Sequence, residues 1–352
     1  MRGFGVYKKG QVGWMIKDDP ICGPRDAIAR PIALAPCSSD VHSAFELEGA
    51  HLINRILGHE SLGEIIEIGS EVRDFKVGDR VIIPAVTPTW THPDVQDSYH
   101  QHAGGCCSAF NFSSYEDGAF ADIIKIRSVD MNVALIPQGM SLEAASMVPD
   151  MMTTGFHGAE LAEVKFGDTV LVLGIGPVGL MAVAGAQLMG AAKLIAVGSR
   201  QNCIDLALEY GATDIVNYKN GDIVEQIMKL TNGKGVDSTI VAGGDLETLY
   251  SAFSVTKPGG IIANLNVFAE ATHFNIPAGA FLGLIGHQTL KGGLCPGGRK
   301  RMERLVAMIE AGRVDPGKLI THKFHGLDSI EEAFNLMINK PKDLIKPLVF
   351  LE

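Results

Sequence analysis

The uncharged segment from Val170 to Ala192, VLVLGIGPVGLMAVAGAQLMGAA, constrains the fold of this chain more than any other part of the sequence. It starts as a short apolar run with β-branched residues, breaks around Gly174 and Pro177, and continues as a helix-like run of small residues. An apolar strand of this kind is typical of a parallel sheet that is covered on both faces. The segment is also long enough to cross a bilayer of about 30 Å, but its glycine-rich break favours a strand followed by a helix over a membrane span.

The break contains the spacing G-x-G-x-x-G. In a dinucleotide site the first glycine makes a tight turn, the second lets the backbone approach pyrophosphate, and the third lets helix and strand pack closely. The pyrophosphate then lies at the helix N-terminus, where free N–H groups and the helix dipole favour an anion. The alternative is that these glycines serve packing alone. The predicted cofactor contacts in this turn are Gly174, Gly176, Pro177, Val178 and Gly179.

Strand-like and helix-like runs alternate from this turn to residue 266, beginning with LIAVG at 194–198. This alternation predicts an α/β fold with a doubly wound parallel sheet of the Rossmann type over residues 150–295. With 352 residues the chain is expected to form two domains, the second built from 1–149 and 296–352. Short apolar runs between glycines and prolines there, such as VGDRVIIP, predict small strands in a partly open β-barrel.

The end of the predicted second strand distinguishes between nicotinamide cofactors, because NAD sites place there a carboxylate that accepts hydrogen bonds from the ribose 2′-hydroxyl. This chain has Gly198, Ser199 and Arg200 instead. A glycine leaves room for a 2′-phosphate, a serine can donate to it, and an arginine offers charge-assisted hydrogen bonds. The sequence therefore predicts NADP, with a solvated Arg200 that has no role in binding as the alternative.

Charge and cysteine content narrow the partners and the compartment. The formal net charge of −10, without a basic cluster, argues against nucleic acid as a partner. Six scattered cysteines are too few to cross-link a fold of this length and favour a reducing compartment. The first residues show no apolar run typical of a secretory signal. We expect a cytoplasmic protein with no membrane partner.

Two short segments carry donors for a metal ion. Cys37 lies in APCSSDVH, and His59 and Glu60 lie between glycines in GHESLGE. A thiolate and an imidazole suit zinc, and a catalytic zinc site needs three protein ligands with a fourth position open. A lone cysteine is more often a small buried hydrophobe. Asp150, in VPDMMTTGFHGAEL, is either the third ligand or the N-cap of the following helix, and its position alone leaves both open.

Several motifs occur in one order along nearly the whole chain, and together they resemble the zinc-containing medium-chain alcohol dehydrogenases. More narrowly, the chain is similar to the NADP-dependent secondary alcohol dehydrogenases of anaerobic bacteria and protists. The motifs are Cys37, GHE at 58–60, VGDRV at 77–81, PDMMTTGFHGAEL at 149–161, GIGPVG at 174–179, GSR at 198–200, GGLCPGGR at 292–299 and KPKDLIKP at 340–347.

The resemblance implies a GroES-like catalytic domain, a homotetramer and roles for individual residues. Cys37, His59 and Asp150 would ligate the catalytic zinc, with Glu60 able to approach the metal. Ser39 and His42 would relay the proton, although His42 could instead be an exposed loop histidine. The residues implied around the 2′-phosphate are Gly198, Ser199, Arg200 and Tyr218. Those implied for the substrate pocket are Ala85, Phe110, Thr154, Val267 and Leu294.

The chain departs from the family at two places. Residues 90–115 hold only Cys106 and Cys107, whereas many members carry four closely spaced cysteines for a structural zinc, so no second zinc is expected. Phe110 and Val267 stand where close relatives have bulky aromatic residues, which predicts a pocket that accepts ketones larger than acetone. The histidines at 100, 102, 157 and 287 are expected to be structural or surface groups.

The function predicted from the sequence is the interconversion of secondary alcohols and ketones, and of some aldehydes, with hydride transfer to or from NADP(H) and one zinc ion per chain. Cobalt or iron would also fit the ligand types. A zinc-free quinone or enoyl reductase of the same superfamily, or a dinucleotide-binding protein without catalysis, remains the alternative.

Overall fold

The computed structural model describes residues 1–46, 52–268, 271, 273–274, 276, 278–280 and 282–352. The chain divides into two compact units. The first comprises Met1–Thr153 and Cys295–Glu352, and the second comprises Thr154–Leu294.

The strands in chain order are β1 (Arg2–Lys8), β2 (Gln11–Ile16), β3 (Ala27–Leu34), β4 (Arg55–Ile56), β5 (Ser61–Ile68), β6 (Arg80–Ile83), β7 (Ile124–Ile126), β8 (Ala134–Leu135), β9 (Thr169–Leu173), β10 (Lys193–Val197), β11 (Asp214–Val216), β12 (Val236–Val241), β13 (Thr256–Asn264), β14 (Thr289–Gly292), β15 (Ile320–His325) and β16 (Lys346–Phe350).

The α-helices are α1 (Ser38–Phe45), α2 (Val129–Asn132), α3 (Leu142–Ser146), α4 (Thr153–Leu161), α5 (Pro177–Leu188), α6 (Gln201–Glu209), α7 (Ile223–Leu230), α8 (Leu246–Val255), α9 (Arg299–Glu310) and α10 (Ile330–Asn339). Short 3₁₀ turns cover Pro93–Asp97, His100–His102, Tyr218–Asn220, Pro316–Leu319 and Leu327–Ser329, a left-handed turn covers Leu282–Leu284, and a π-helical turn covers Val148–Met152.

The first unit is built on two mainly antiparallel sheets. The larger has the strand order β15-β16-β3-β5-β6-β8, with β7 also paired to β3, and the smaller has the order β2-β1-β4. The larger path stays open between β15 and β8 over the described residues, as a partly open barrel requires. Phe4, Phe112, Phe120 and Phe334 are among the fully buried side chains of its core. Strand β16 lies between β15 and β3, so strands that are far apart in the sequence pair in one sheet.

The second unit is a six-stranded parallel sheet with the order β11-β10-β9-β12-β13-β14. Numbered within the unit this is 3-2-1-4-5-6, the strand order of a doubly wound dinucleotide fold. In that fold the strands are added towards one edge of the sheet up to β11 and towards the other edge from β12 onward. The predicted α/β class is therefore confirmed. β14 was not predicted from the sequence.

The uncharged segment that opens the second unit is a strand and a helix. β9 is buried from Val170 to Leu173, and α5 has only 12 residues. No helix among the described residues has the length and apolar character needed to cross a bilayer.

Candidate metal and dinucleotide sites

Cys37 lies between β3 and α1 and is held there by backbone geometry. It has an extended conformation, with φ −126° and ψ 160°, and it directly precedes the first turn of α1. Its N–H donates to Oδ2 of Asp40, three residues later, at 2.9 Å. This contact satisfies an N–H that would otherwise be buried without a partner at the start of the helix. The thiol is consequently fixed at the end of a buried strand.

His59 and Glu60 follow a turn that requires glycine. Gly58 has φ +95°, and a Cβ at this position would lie 2.3 Å from the ring of Phe120. The turn delivers His59 and Glu60 to the start of β5 with 1% and 0% of their surface exposed. Buried ionisable groups of this kind are costly unless they are paired or bind a metal.

Asp150 lies inside the π-helical turn Val148–Met152, which runs directly into α4. It is therefore not the N-cap of that helix, so the alternative left open by the sequence does not apply. π-helical turns are rare and occur frequently at functional sites, since the extra residue changes the direction of a side chain.

The structure brings the four predicted donors together. Sγ of Cys37 lies 3.9 Å from Oδ2 of Asp150, and Nε2 of His59 lies 3.4 Å from the same oxygen. Nε2 of His59 is 3.8 Å from Oε1 of Glu60. One donor atom from each of the four residues lies within 4.8 Å of all the others. All four belong to the first unit.

The histidine shows that this cluster fits a cation. Nδ1 of His59 contacts Oδ1 of Asp40 at 3.0 Å, and the same oxygen accepts from the N–H of Gly58 at 3.1 Å. Nε2 is buried and has no hydrogen-bond partner among the described residues. A metal-bound histidine has this arrangement, with one ring N–H donated to a carboxylate and the other nitrogen directed at the ion. Sulfur, nitrogen and carboxylate oxygen are together a donor set for zinc.

The charges in the cluster also favour a cation. Burial lowers the pKa of His59, but the carboxylates of Asp40 and Asp150 outweigh burial and raise this pKa well above its ordinary value. For Glu60, burial raises the pKa to about 7 against the opposing effect of Lys346. The carboxyl groups of Glu60 and Asp150 and the thiol of Cys37 lie close together with little exposure to solvent, and a divalent ion would balance their charge.

Lys346 was not singled out by the sequence analysis, although it is part of this cluster. Its Nζ lies 2.6 Å from Oε1 of Glu60, and its side chain is 1% exposed. Burial opposes the charge of Lys346, yet Cys37 and Glu60 raise its pKa above the usual range. The signal in the sequence is a single lysine in the apolar run LIKPLVF, where a charge is unexpected.

The two predicted relay residues lie on α1. Oγ of Ser39 is 3.8 Å from Sγ of Cys37, which places the hydroxyl beside the metal donors. His42 is three residues further along the helix, on the same face. Its Nδ1 contacts the carboxylate of Glu46, and its side chain is partly exposed. His42 is thus a helical residue rather than a loop residue.

The glycines of the second unit have separable roles. Gly174 has φ +86° and lies against Gly243, and a Cβ on Gly179 would lie 1.8 Å from the carbonyl oxygen of Gly174. A Cβ on Gly176, in contrast, would meet nothing within 4 Å. Gly176 directly precedes α5, whose first two residues are Pro177 and Val178. Gly174 and Gly179 therefore allow the chain to pack, whereas Gly176 keeps space open at the helix N-terminus.

Gly198, Ser199 and Tyr218 adjoin the end of β10. Oγ of Ser199 donates to Oη of Tyr218 at 2.7 Å, which joins the ends of β10 and β11 through two hydroxyl groups. Arg200 directly precedes α6. A Cβ on Gly198 would lie 2.2 Å from Cγ1 of Ile175, so this glycine also allows the G-x-G turn to approach.

The predicted substrate residues are divided between the two units. In the first unit, the Phe110 ring lies 5.1 Å from the His59 ring, and the N–H of Ala85 donates to the carbonyl of Pro149, next to Asp150. Thr154, Val267 and Leu294 belong to the second unit. Val267 is 81% exposed there.

Three of the other histidines have local partners. Nδ1 of His157 contacts Oε2 of Glu160 at 3.3 Å, and the ring of His100 packs on that of Trp90. Nδ1 of His102 accepts from the N–H of Cys107 at 2.9 Å.

Two family models match separate parts of the chain. Residues 23–138 match the alcohol dehydrogenase GroES-like domain, and residues 177–311 match the zinc-binding dehydrogenase family.

Curated relatives match from end to end. The chain is 56% identical to an NADP-dependent isopropanol dehydrogenase of Thermoanaerobacter brockii and 53% identical to one of Clostridium beijerinckii, each over 100% of both chains. It is 51% identical to one of Entamoeba histolytica over 99% of this chain and 95% of that protein.

Solved structures share the whole fold. The alcohol dehydrogenase TADH from Thermus sp. ATN1 has a TM-score of 0.86 at 26% identity, covering 100% of both chains. The apo form of a zinc-dependent alcohol dehydrogenase 2 from Streptococcus pneumonia has a TM-score of 0.87 at 27% identity, covering 100% of this chain and 99% of the other.

Proposed function

The chain belongs to the zinc-containing medium-chain alcohol dehydrogenases, and we propose that it interconverts secondary alcohols and ketones with NADP(H) as the hydride carrier. The observation that carries this proposal is the cluster of Cys37, His59, Glu60 and Asp150, whose buried His59 Nε2 has no other partner among the described residues. The same relatives support NADP and zinc as its cofactors.

Cys37, His59 and Asp150 are the residues that would hold zinc, which supplies a Lewis acid that lowers the pKa of a coordinated alcohol and polarises a ketone carbonyl. Asp40 orients the histidine ring, and Lys346 holds the carboxylate of Glu60. The Phe110 ring packs beside the His59 ring, with centroids 5.1 Å apart. Because Cys37, His59 and Glu60 are buried, the proton of a coordinated alcohol needs a route to solvent.

Ser39 and His42 take that proton in our proposal. Ser39 lies beside Cys37, and His42 is partly exposed on the same face of α1. A hydroxyl that passes a proton to an imidazole connects a buried site with solvent near neutral pH.

The dinucleotide lies on the second unit in this proposal. The open space at Gly176 and the N-terminus of α5 suit the pyrophosphate. Ser199, Arg200 and Tyr218 surround the 2′-phosphate, and none of them repels an anion. The second unit is thus the cofactor domain and the first the catalytic domain.

The cofactor assignment is tested by initial rates with NADP and NAD. Arg200→Ala is expected to lower the preference for NADP by about tenfold to a hundredfold, since it removes a hydrogen bond to a charged group. Lys234→Ala, which removes an exposed cation from the same unit, is the control and should leave the preference unchanged. Equal use of both cofactors by the unmodified enzyme would contradict the assignment.

The metal assignment is tested by zinc content. Zinc that is lost together with turnover in Cys37→Ser and Asp150→Ala supports the proposal. A chain with no zinc and full turnover would instead favour a zinc-free quinone or enoyl reductase, and NADPH binding without turnover on any alcohol or ketone would favour a binding protein.

We further propose that the pocket admits ketones larger than acetone, because Phe110 and Val267 are smaller than the aromatic residues expected there. Turnover should continue along a series of longer methyl ketones, and Phe110→Trp should shorten that series. A sharp fall after acetone in the unmodified enzyme would contradict this.

The assembly and compartment are also proposals. A homotetramer agrees with the family resemblance and is tested by sedimentation of the purified chain. A cytoplasmic location agrees with six cysteines that are all free.

A further inference from the structure

Cys106, Cys107 and His102 form a second group of metal donors in the first unit. One donor atom from each of the three lies within 4.8 Å of the others. Both cysteines are exposed, and His102 ends a 3₁₀ turn four residues before Cys106. Two cysteines alone would be too few for a structural zinc site, but the histidine brings the number of donors to three.

The distance between the two sulfurs suits one tetrahedral ion. Sγ of Cys106 and Sγ of Cys107 lie 3.8 Å apart. Two thiolates at the Zn–S length of about 2.3 Å, at a tetrahedral angle, are separated by about 3.8 Å. A disulfide suits the pair poorly, because adjacent Cα atoms are about 3.8 Å apart and disulfides usually join Cα atoms about 4.4 to 6.8 Å apart.

The loop that carries the thiols is already folded around them. Gly104, Gly105 and Cys107 all have positive φ, of 93°, 146° and 55°. The N–H of Gly105 donates to the carbonyl of His102 at 2.9 Å, and Oγ of Ser108 donates to the carbonyl of Ala103 at 2.7 Å. The backbone therefore turns back on His102, and little ordering remains for an ion to impose.

We propose that His102, Cys106 and Cys107 bind a second thiophilic divalent cation, with zinc as the preferred ion and water in the fourth position. The two thiol protons leave to solvent as two metal–sulfur bonds form. Nδ1 of His102 exchanges its hydrogen bond from the N–H of Cys107 for the metal, which is a small loss beside a metal–nitrogen bond.

An ion bound by this loop would affect catalysis, because the loop is hydrogen-bonded to a residue that packs beside a proposed zinc ligand. The carbonyl of Cys107 accepts from the N–H of Phe110 at 2.9 Å, and the Phe110 ring lies 5.1 Å from the His59 ring. An ion bound by the loop would therefore fix the residue that packs on a catalytic ligand. Its role is to position Phe110, not to contact substrate.

Metal counting on the full-length holoenzyme tests the proposal without reference to turnover. The reduced protein is loaded with excess zinc, freed of unbound metal by gel filtration, and analysed for zinc. The unmodified chain is expected to hold about one equivalent more than a Cys106→Ser, Cys107→Ser double variant. A Cys22→Ser, Cys203→Ser double variant, which also removes two thiols, should keep the full content.

Cobalt substitution identifies the donors. Thiolate-to-cobalt absorption should be stronger in the unmodified chain than in the Cys106, Cys107 double variant, and His102→Ala should weaken the affinity for the second cobalt at least tenfold. Equal metal content in the unmodified chain and in that variant would overturn the proposal. So would a cysteine pair that is oxidised to a disulfide and binds no metal after reduction.

Discussion

Asp40 supports the proposed zinc site, although it is not one of the predicted metal ligands. Its two oxygens accept from the N–H groups of Cys37 and Gly58 and contact Nδ1 of His59. It is 1% exposed, so none of these contacts is shared with solvent. One carboxylate thus orients two of the proposed zinc ligands.

Asp40→Asn is expected to weaken zinc binding about tenfold to a hundredfold, because an amide has one acceptor oxygen where the carboxylate has two and the histidine ring loses its anionic partner. Competition with a chelator measures the affinity. Asp97→Asn, at an exposed position, is the control. An unchanged zinc affinity in Asp40→Asn would mean that the carboxylate does not orient the ring.

Lys346 and Glu60 form a buried ion pair beside the same site. Lys346→Met leaves a fully buried carboxylate without its cation and is expected to lower the free energy of unfolding by about 3–5 kcal/mol. Adding Glu60→Gln should recover much of this loss, since it removes the unpaired charge. Urea unfolding of both variants measures the difference. If the double variant were as unstable as Lys346→Met, the loss would come from packing and not from charge.

In the turn between β9 and α5, we expect one glycine to matter for stability and another for binding of the dinucleotide. Gly179→Ala should destabilise the protein, because its Cβ would overlap the carbonyl oxygen of Gly174. Gly176→Ala should change the free energy of unfolding by less than about 1 kcal/mol but weaken NADPH binding, since its Cβ enters open space where the pyrophosphate is expected. Denaturation and NADPH titration of the two variants test this. Equal stability, or unchanged NADPH affinity in Gly176→Ala, would contradict it.

The residues proposed to bind the metal and those proposed to bind the dinucleotide belong to different units of the molecule. Removal of zinc with a chelator should abolish turnover while NADPH still binds, because the residues proposed for the dinucleotide belong to the second unit and the proposed zinc ligands to the first. NADPH fluorescence before and after chelation measures this. Loss of NADPH binding in the zinc-free chain would show that the two sites are coupled.

The sequence predicts local features of this molecule better than contacts between distant residues. The strand, turn and helix at 169–188 follow from periodicity and glycine spacing, which are properties of neighbouring residues. The sequence could not decide whether Asp150 is a metal ligand or a helix N-cap, because a π-helical turn leaves no clear pattern in a single sequence. Lys346 meets Glu60 across 286 positions, and the convergence of His102 with Cys106 and Cys107 depends on loop geometry that composition does not encode.

The place of β16 between β15 and β3 has a consequence during synthesis. Cys37, His59, Glu60 and Asp150 all leave the ribosome before the lysine that balances Glu60. The second unit, which is the continuous stretch Thr154–Leu294, has by then been translated in full. Nascent chains stalled shortly before residue 346 should therefore resist protease in that stretch and be cleaved in the first unit.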